Sequence, residues 1–116
     1  MDWKGLSINE ARFLGRVAVE PQVMKTASGE CVWIKLSTKV RELTANGQWI
    51  DTEQMVPLLV LDTQKVETVK KYVQAGKEIS VKCYYKSWEV DNILYHGLVV
   101  TQMDLGRSAL PDKQQQ

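Results

Sequence analysis

An all-β fold with a single helix is what this sequence predicts, on three observations. Apolar residues alternate with polar ones over much of the chain, as in Val32, Ile34 and Leu36 or Ile79, Val81 and Cys83. The period lengthens to three and four residues in one place only, after Asp62. Turn signals at Ala27-Ser28-Gly29, Asn46-Gly47 and Asp91-Asn92 divide the rest into short runs. Alternation marks a strand with one covered face, and the longer period marks a helix.

Taken in order, the first strand starts at Ala11 and stops at Pro21, because proline has no N–H to donate into a ladder. A short stretch, Val23 to Thr26, leads into the turn at Ser28-Gly29. In the next strand, Cys31 to Thr38, Val32, Ile34 and Leu36 share one face and Trp33, Lys35 and Ser37 the other. Residues 41–52 are polar and contain Asn46-Gly47, which predicts a long hairpin arm with Trp49 near its tip. Met55 to Leu61 is a continuous apolar run that suits a strand covered on both faces, and Pro57 directs it to a sheet edge or a bulge. Val66, Val69, Tyr72 and Val73 then recur at helical spacing. With Asp62 or Thr63 as cap and Gly76 as stop, they predict a helix over Thr63 to Ala75. After Gly76, Ile79, Val81 and Cys83 point inward and Ser80, Lys82 and Tyr84 outward. A turn at Asp91-Asn92 precedes a last strand, Ile93 to Thr101.

Strand, strand, strand, helix, strand, strand is the order of the five-stranded Greek-key barrel called the OB-fold, with its helix between strands 3 and 4. Strands and helices do not alternate, which argues against a parallel α/β sheet. The expected organisation is a flexible lead-in over residues 1–8, the barrel domain over 9–106 and a disordered polar tail over 107–116.

The chain has 116 residues, 44% hydrophobic and 25% charged, enough for one packed core and too apolar for disorder throughout. No apolar run reaches the roughly 20 residues of a membrane span, and no charged-then-apolar leader opens the chain. The sequence therefore reads as cytoplasmic, without a membrane partner. Fifteen basic and fourteen acidic side chains leave a net charge of +1, so net charge alone does not draw this protein to a polyanion. Cys31 and Cys83 stand apart in apolar runs, with no Cys-x-x-Cys pair, and read as core thiols.

Catalysis finds no support. His96 is the only histidine and reads as a hydrogen-bonded structural residue in mid-strand, so no nucleophilic triad or histidine-rich metal site assembles. Acidic residues do not pair, and the seven glycines never cluster into a phosphate loop. No cofactor or metal is expected.

What stands out is the coincidence of basic and aromatic residues. Arg12, Arg16, Lys25, Lys35, Lys39 and Arg41 face only Glu20 and Glu30 between residues 11 and 41. From 42 to 68 the balance reverses, with Lys65 alone against five acidic side chains. A second strip, Lys82, Tyr84, Lys86 and Trp88, occupies alternate positions of one strand and so one face. Single-stranded nucleic acid presents phosphates for cations and unpaired bases for aromatic faces, each stacked base contributing about 1–3 kcal/mol. Exposed lysines on a sheet and aromatics at a subunit contact would give the same pattern.

A resemblance bears on that choice. Asn9, Phe13-Leu14-Gly15-Arg16-Val17 and Glu20-Pro21 resemble the opening of bacterial single-stranded DNA-binding proteins. Ser28-Gly29 followed by Ile34-x-Leu36-x-Thr38 is similar to that family's second strand, and Thr52-Glu53 before Met55 to Val60 to the start of its third. Val73-x-x-Gly76-Lys77-x-Ile79-x-Val81 resembles its helix exit and fourth strand, and Lys86-Ser87-Trp88 the end of that strand. The likeness runs over roughly residues 9 to 106. It implies an OB-fold that binds single-stranded DNA without catalysis, as a homo-oligomer, with a tetramer favoured over a dimer. Trp33, Trp49, Tyr84 and Trp88 would stack on bases, and Arg16, Lys35, Arg41, Lys82 and Lys86 would meet phosphates.

The chain also departs from the family. Gln54, Val60 and about Val40 stand where family members carry aromatics, Pro57 interrupts the third strand, and Cys83-Tyr84-Tyr85 replaces a Gly-x-Leu step. The acidic tip ending in Pro-Phe has no counterpart in Pro111-Asp112-Lys113 and the three glutamines, so recruitment of partners through such a tip is not expected. These departures suggest a specialised paralogue of the kind carried by phages, plasmids or other mobile elements. The competing class is an OB-fold protein-interaction module, a primosome-type or secretion-associated accessory factor whose aromatics make subunit contacts.

Overall fold

The computed structural model describes residues 7–106. The expected tail, 107–116, and most of the expected lead-in lie outside them. Six strands and one helix follow in the order β1 (Ala11–Val17), β2 (Gln22–Thr26), β3 (Gly29–Leu43), β4 (Trp49–Val60), α1 (Thr63–Tyr72), β5 (Glu78–Val90) and β6 (Ile93–Leu105). The sheet runs β1-β5-β6-β4-β3-β2, and a further pairing of β1 with β3 closes five of the strands into a barrel. All pairings are antiparallel except β4 with β6.

This is the OB-type barrel expected from the element order, with one correction: the helix follows the fourth strand, not the third. The short stretch before Gly29 is a strand of its own. It lies end to end with β1 along one edge of β3, where Val17 is opposite Leu36 and Gln22 opposite Trp33. Residues 18–21, with Pro21, separate the two, so one side of the barrel is counted twice along the chain.

The core is the set of residues that alternation turned inward. Val32, Ile34 and Leu36 of β3 meet Val56, Leu58 and Val60 of β4, Ile79, Val81 and Cys83 of β5, and Val100 of β6. Val66, Val69 and Val73 add the apolar stripe of α1, whereas Tyr72, counted in that stripe from its spacing, is exposed. Cys83 is buried, which pushes its thiol up. The helix ends at Tyr72, three residues before Ala75, because Val73 turns to extended backbone.

Asp62 caps α1, its Oδ1 accepting from Gln64 N at 2.8 Å and Lys65 N at 3.2 Å. Those two N–H groups, with the Lys65 ammonium behind them, hold the Asp62 carboxyl below its usual range. A lowered folded-state pKa contributes stability above the unfolded value, lost as pH falls through the folded one. Asp62→Ala is expected to lower the melting temperature by a few degrees at neutral pH and by less in acid. Asp62→Asn, which keeps the acceptor, should recover most of the loss. Thermal scans between pH 3 and 7 check both, and an equal loss for the two variants would remove the cap from the account.

Pro57 does not place β4 at an edge, since β4 lies between β3 and β6. Lys35, its partner in β3, gives its carbonyl to Ala18 N at 2.8 Å. The Lys35–Pro57 pair is therefore one that exchanges no hydrogen bonds, and proline's missing N–H faces the β6 side. There the ladder begins only at Leu58.

Two hairpins run on past the barrel. The arm of β3 and β4 keeps register from Val32–Val60 to Leu43–Trp49, and that of β5 and β6 ends at Val90–Ile93. The second closes on Asp91 and Asn92, at φ of 51° and 65°, the backbone a two-residue turn between twisted strands requires. With these arms the radius of gyration is 16.9 Å, against about 13 Å for a compact domain of 100 residues.

Candidate nucleic-acid interface

Alternation sends the other half of each strand to the outside of the barrel. One row of that outer face crosses four strands: Trp33 is opposite Leu59, Leu59 beside Val99, and Val99 opposite Tyr84. Cys31, Leu59 and Val99 are buried beneath Trp33, Tyr84 and Trp88, which pack on them half-exposed. Cys31 is thus a buried thiol, in this outer cluster and not in the barrel interior.

Farther along the β5–β6 arm, Lys86 is opposite Gly97 and Trp88 opposite Tyr95. The Trp88 and Tyr95 rings stack with centroids 6.0 Å apart and an interplanar angle of 17°. A Cβ on Gly97 would lie 3.7 Å from Cη2 of Trp33 and 3.7 Å from Cη2 of Trp88. The two indoles, 55 positions apart in sequence, therefore converge over this glycine. Beside them opens a mainly apolar groove of about 480 Å³, walled by Met24, Cys31, Trp33, Leu59, Trp88 and Tyr95, with Lys86 on its rim. Lys35 is exposed one step along β3 from Trp33, in a neighbouring depression that Pro57 also lines.

The other sequence-predicted residues stand elsewhere. Arg41 and Trp49 form a separate group near the tip of the β3–β4 arm, with the guanidinium 5.9 Å from the ring centroid. Arg41 is eight residues from Trp33, about 26 Å along the strand. Lys82 lies on the strand face of Tyr84, but a register shift separates it from Cys83, and its ammonium is 3.5 Å from Glu10. Arg16 is opposite Glu78, six residues before Tyr84, about 20 Å away along β5. It donates to the Gly76 carbonyl at 3.0 Å and approaches Glu78 at 3.9 Å. Glu10, between Arg12 Nε at 3.0 Å and Lys82, has its carboxyl held low, chiefly by the Arg12 hydrogen bond. His96 is exposed and stacks on Tyr85 with centroids 5.9 Å apart; the structure gives it this aromatic contact in place of the expected hydrogen-bonded role. Among the described residues no three His, Cys, Asp or Glu side chains gather as a metal site, and no helix is long and apolar enough to cross a membrane.

Met24, Leu59 and Tyr95 line the groove and Gly97 lies buried under the two indole tips, and all four escaped the sequence reading. Tyr95 and Gly97 had a usable signal, since a two-residue turn at Asp91-Asn92 places them opposite Trp88 and Lys86. Met24 and Leu59 had none, because they reach the groove only through the curvature of the barrel.

No family model and no curated protein matches the sequence. Solved structures do. The single-stranded DNA-binding protein of Plasmodium falciparum, in complex with ssDNA, superposes with a TM-score of 0.68 at 18% identity, over 89% of this chain and 96% of that one. The wild-type single-stranded DNA-binding protein of Thermus aquaticus gives 0.71 at 17% identity over 86% of this chain, which spans 50% of the Thermus chain. The mitochondrial single-stranded DNA-binding protein of S. cerevisiae gives 0.66 at 14% identity, over 89% and 98%. At these identities the likeness is one of architecture: the chain carries the OB barrel of the single-stranded DNA-binding proteins.

Proposed function

We propose that this protein is a divergent member of that family and binds single-stranded DNA without catalysis, protecting exposed strands during replication, recombination or repair. The observation that carries the reading is the outer face itself. Two tryptophans and a tyrosine are packed firmly enough from below to hold their orientation, and Lys35 and Lys86 flank them without an ion pair among the described residues. Aromatic faces for bases beside cations for phosphates are the two parts that unpaired nucleic acid needs. The complex of the Plasmodium neighbour with ssDNA supports the same reading. Trp49 with Arg41 offers a second platform on the arm, and Arg16 and Lys82 are reserve cations whose carboxylate partners a phosphate would have to displace. Assembly as a homo-oligomer, a tetramer before a dimer, and a cytoplasmic location belong to the same proposal. The barrel over residues 9–106 is the binding unit.

Titration with oligo-dT, followed by tryptophan fluorescence, is expected to show saturable quenching that salt reverses. With Lys35, Lys86 and Arg41 on phosphates, log K should fall against log salt with a slope of about −2, at roughly 0.7 per contact. Light scattering on the same samples should give the mass of four protomers, and a monomer mass would remove the oligomer from the proposal. Absence of quenching at micromolar protein would sink the DNA reading.

The interaction-module reading has one observation in its favour. The other face of the β5–β6 arm exposes Tyr85 and Leu94 beside His96 and carries no lysine or arginine. That face suits a protein surface better than a phosphate chain, and binding through it would be nearly indifferent to salt.

A further inference from the structure

Two cations stand face to face on the outside of the barrel, apart from the groove. Arg12 of β1 is directly opposite Lys82 of β5, and like charges at such positions destabilise a sheet. Glu10 resolves the conflict. Its Oε1 accepts from Arg12 Nε at 3.0 Å and its Oε2 lies 3.5 Å from Lys82 Nζ, so each carboxylate oxygen serves one cation. Ala11 is opposite Cys83, and Asn9 bonds through its side-chain amide to the Tyr85 backbone. Glu10 is therefore level with Tyr84, at the end of the outer aromatic row. Neither cation is used up. The terminal nitrogens of Arg12 have no partner among the described residues. Both cations line a polar depression of about 140 Å³, where Ser80 and Gln102 add donors and Asp104 is a second acid. That volume lies below the 300–1,000 Å³ of sites for whole small ligands, so it suits one ionic group and not a base.

We infer that Arg12 and Lys82 form a phosphate subsite that Glu10 occupies in the free protein, its carboxylate standing in for two oxygens of a phosphodiester. A strand that reaches Tyr84 meets this carboxylate next, and Glu10 keeps the following phosphate out. Glu10 thereby sets where the bound strand ends on this side of the barrel. It also holds the affinity below what the two cations alone would give. This rests on the single-stranded DNA reading and adds to it a competitor built into the chain. The occupant follows from charge and shape. Two cations that share a two-oxygen anion accept a phosphodiester in its place, whereas a neutral or cationic group would leave them facing each other.

The test is a double-mutant cycle on oligo-dT binding, read by anisotropy across a salt series. Glu10→Gln keeps the length of the side chain and removes its charge. It should tighten binding about 3- to 30-fold at low salt, the scale of two exposed ion pairs no longer competing. The slope of log K against log salt should steepen from about −2 to about −3.5, as two more cations reach phosphates. Arg12→Gln alone should change the affinity by less than about two-fold, because a closed site contributes nothing. In the Glu10→Gln background the same Arg12→Gln change should remove most of the gain. Asp104→Asn, which neutralises an acid of the same depression without releasing a cation, should leave the slope as it is. A gain in Glu10→Gln that is the same with and without Arg12 would mark a general field effect and overturn the subsite. An unchanged slope in Glu10→Gln, or a steeper one in Asp104→Asn, would do the same. If the unsubstituted protein binds oligo-dT and Glu10→Gln binds it no better, the subsite falls and the function stands. If neither binds, the function itself falls and the subsite with it.

Discussion

Gly15→Ala is expected to lower the melting temperature by about 12–24 °C or to leave the chain unfolded. Gly15 sits where β1 leaves β5 and crosses to β3, the seam that closes the barrel. A methyl group there would be 2.2 Å from the carbonyl oxygen of Ser37 and 3.1 Å from its carbonyl carbon. Those are backbone atoms, which cannot rotate away as a side chain can. Nor can β1 retreat, since Ala18 N donates to Lys35 O at 2.8 Å and Gly76 N to Val17 O at 2.7 Å on either side of the seam. Overpacking costs about 1–3 kcal/mol where side chains can shift, and a backbone clash belongs at the upper end. About 3 kcal/mol at 4–8 °C per kcal/mol in a domain of this size gives the stated loss. Gly97→Ala is the control, because its methyl would meet both indoles at ordinary contact distance. Circular-dichroism melting curves of the two variants decide the matter. Equal melting temperatures would show that the seam yields and that the barrel is not closed as described.

Trp33→Ala and Trp88→Ala should each weaken oligo-dT binding by about 5- to 150-fold, the range for losing one stacked base. Trp49→Ala should cost less. Trp33 and Trp88 are packed on Cys31, Leu59 and Val99, so little side-chain freedom remains to be lost on binding. Trp49 is 59% exposed with the Arg41 guanidinium over its ring, and it must be immobilised when a base stacks on it. The two groove tryptophans share Gly97 and one groove, so the double variant is expected to lose less than the product of the single losses. Anisotropy titrations with a labelled oligo-dT at fixed low salt measure all four. A larger loss for Trp49→Ala than for either groove variant would move the binding face to the arm.

Much of the architecture was legible beforehand because side-chain direction is a local property. Trp33 with Lys35, and Tyr84 with Lys86 and Trp88, face outward by strand alternation alone, and the structure agrees for each. Asp62 announced the start of the helix, because a carboxylate two and three residues ahead of free N–H groups caps them wherever the helix packs. The stop was misread, since Gly76 is a plausible terminator but Val73 is drawn into the barrel core and ends the helix first. The strand count was misread for a related reason: Gln22–Thr26 is exposed throughout and has no alternation of burial to betray it. It is a strand because β3 offers an edge.

Charge was the least legible property. Arg16 and Lys82 looked as available as Lys35 and Lys86, yet Glu78 and Glu10 stand beside them in the fold. The sequence by itself determined which face each strand residue takes, where the chain turns and where the helix begins, since these depend on backbone geometry over a few residues. Only the tertiary structure decided that Trp33, Leu59, Trp88 and Gly97 are neighbours, that Gly15 admits no side chain, and which cations are already paired. Those facts depend on pairing segments some 20 to 70 residues apart in the chain, and no local pattern encodes the closure.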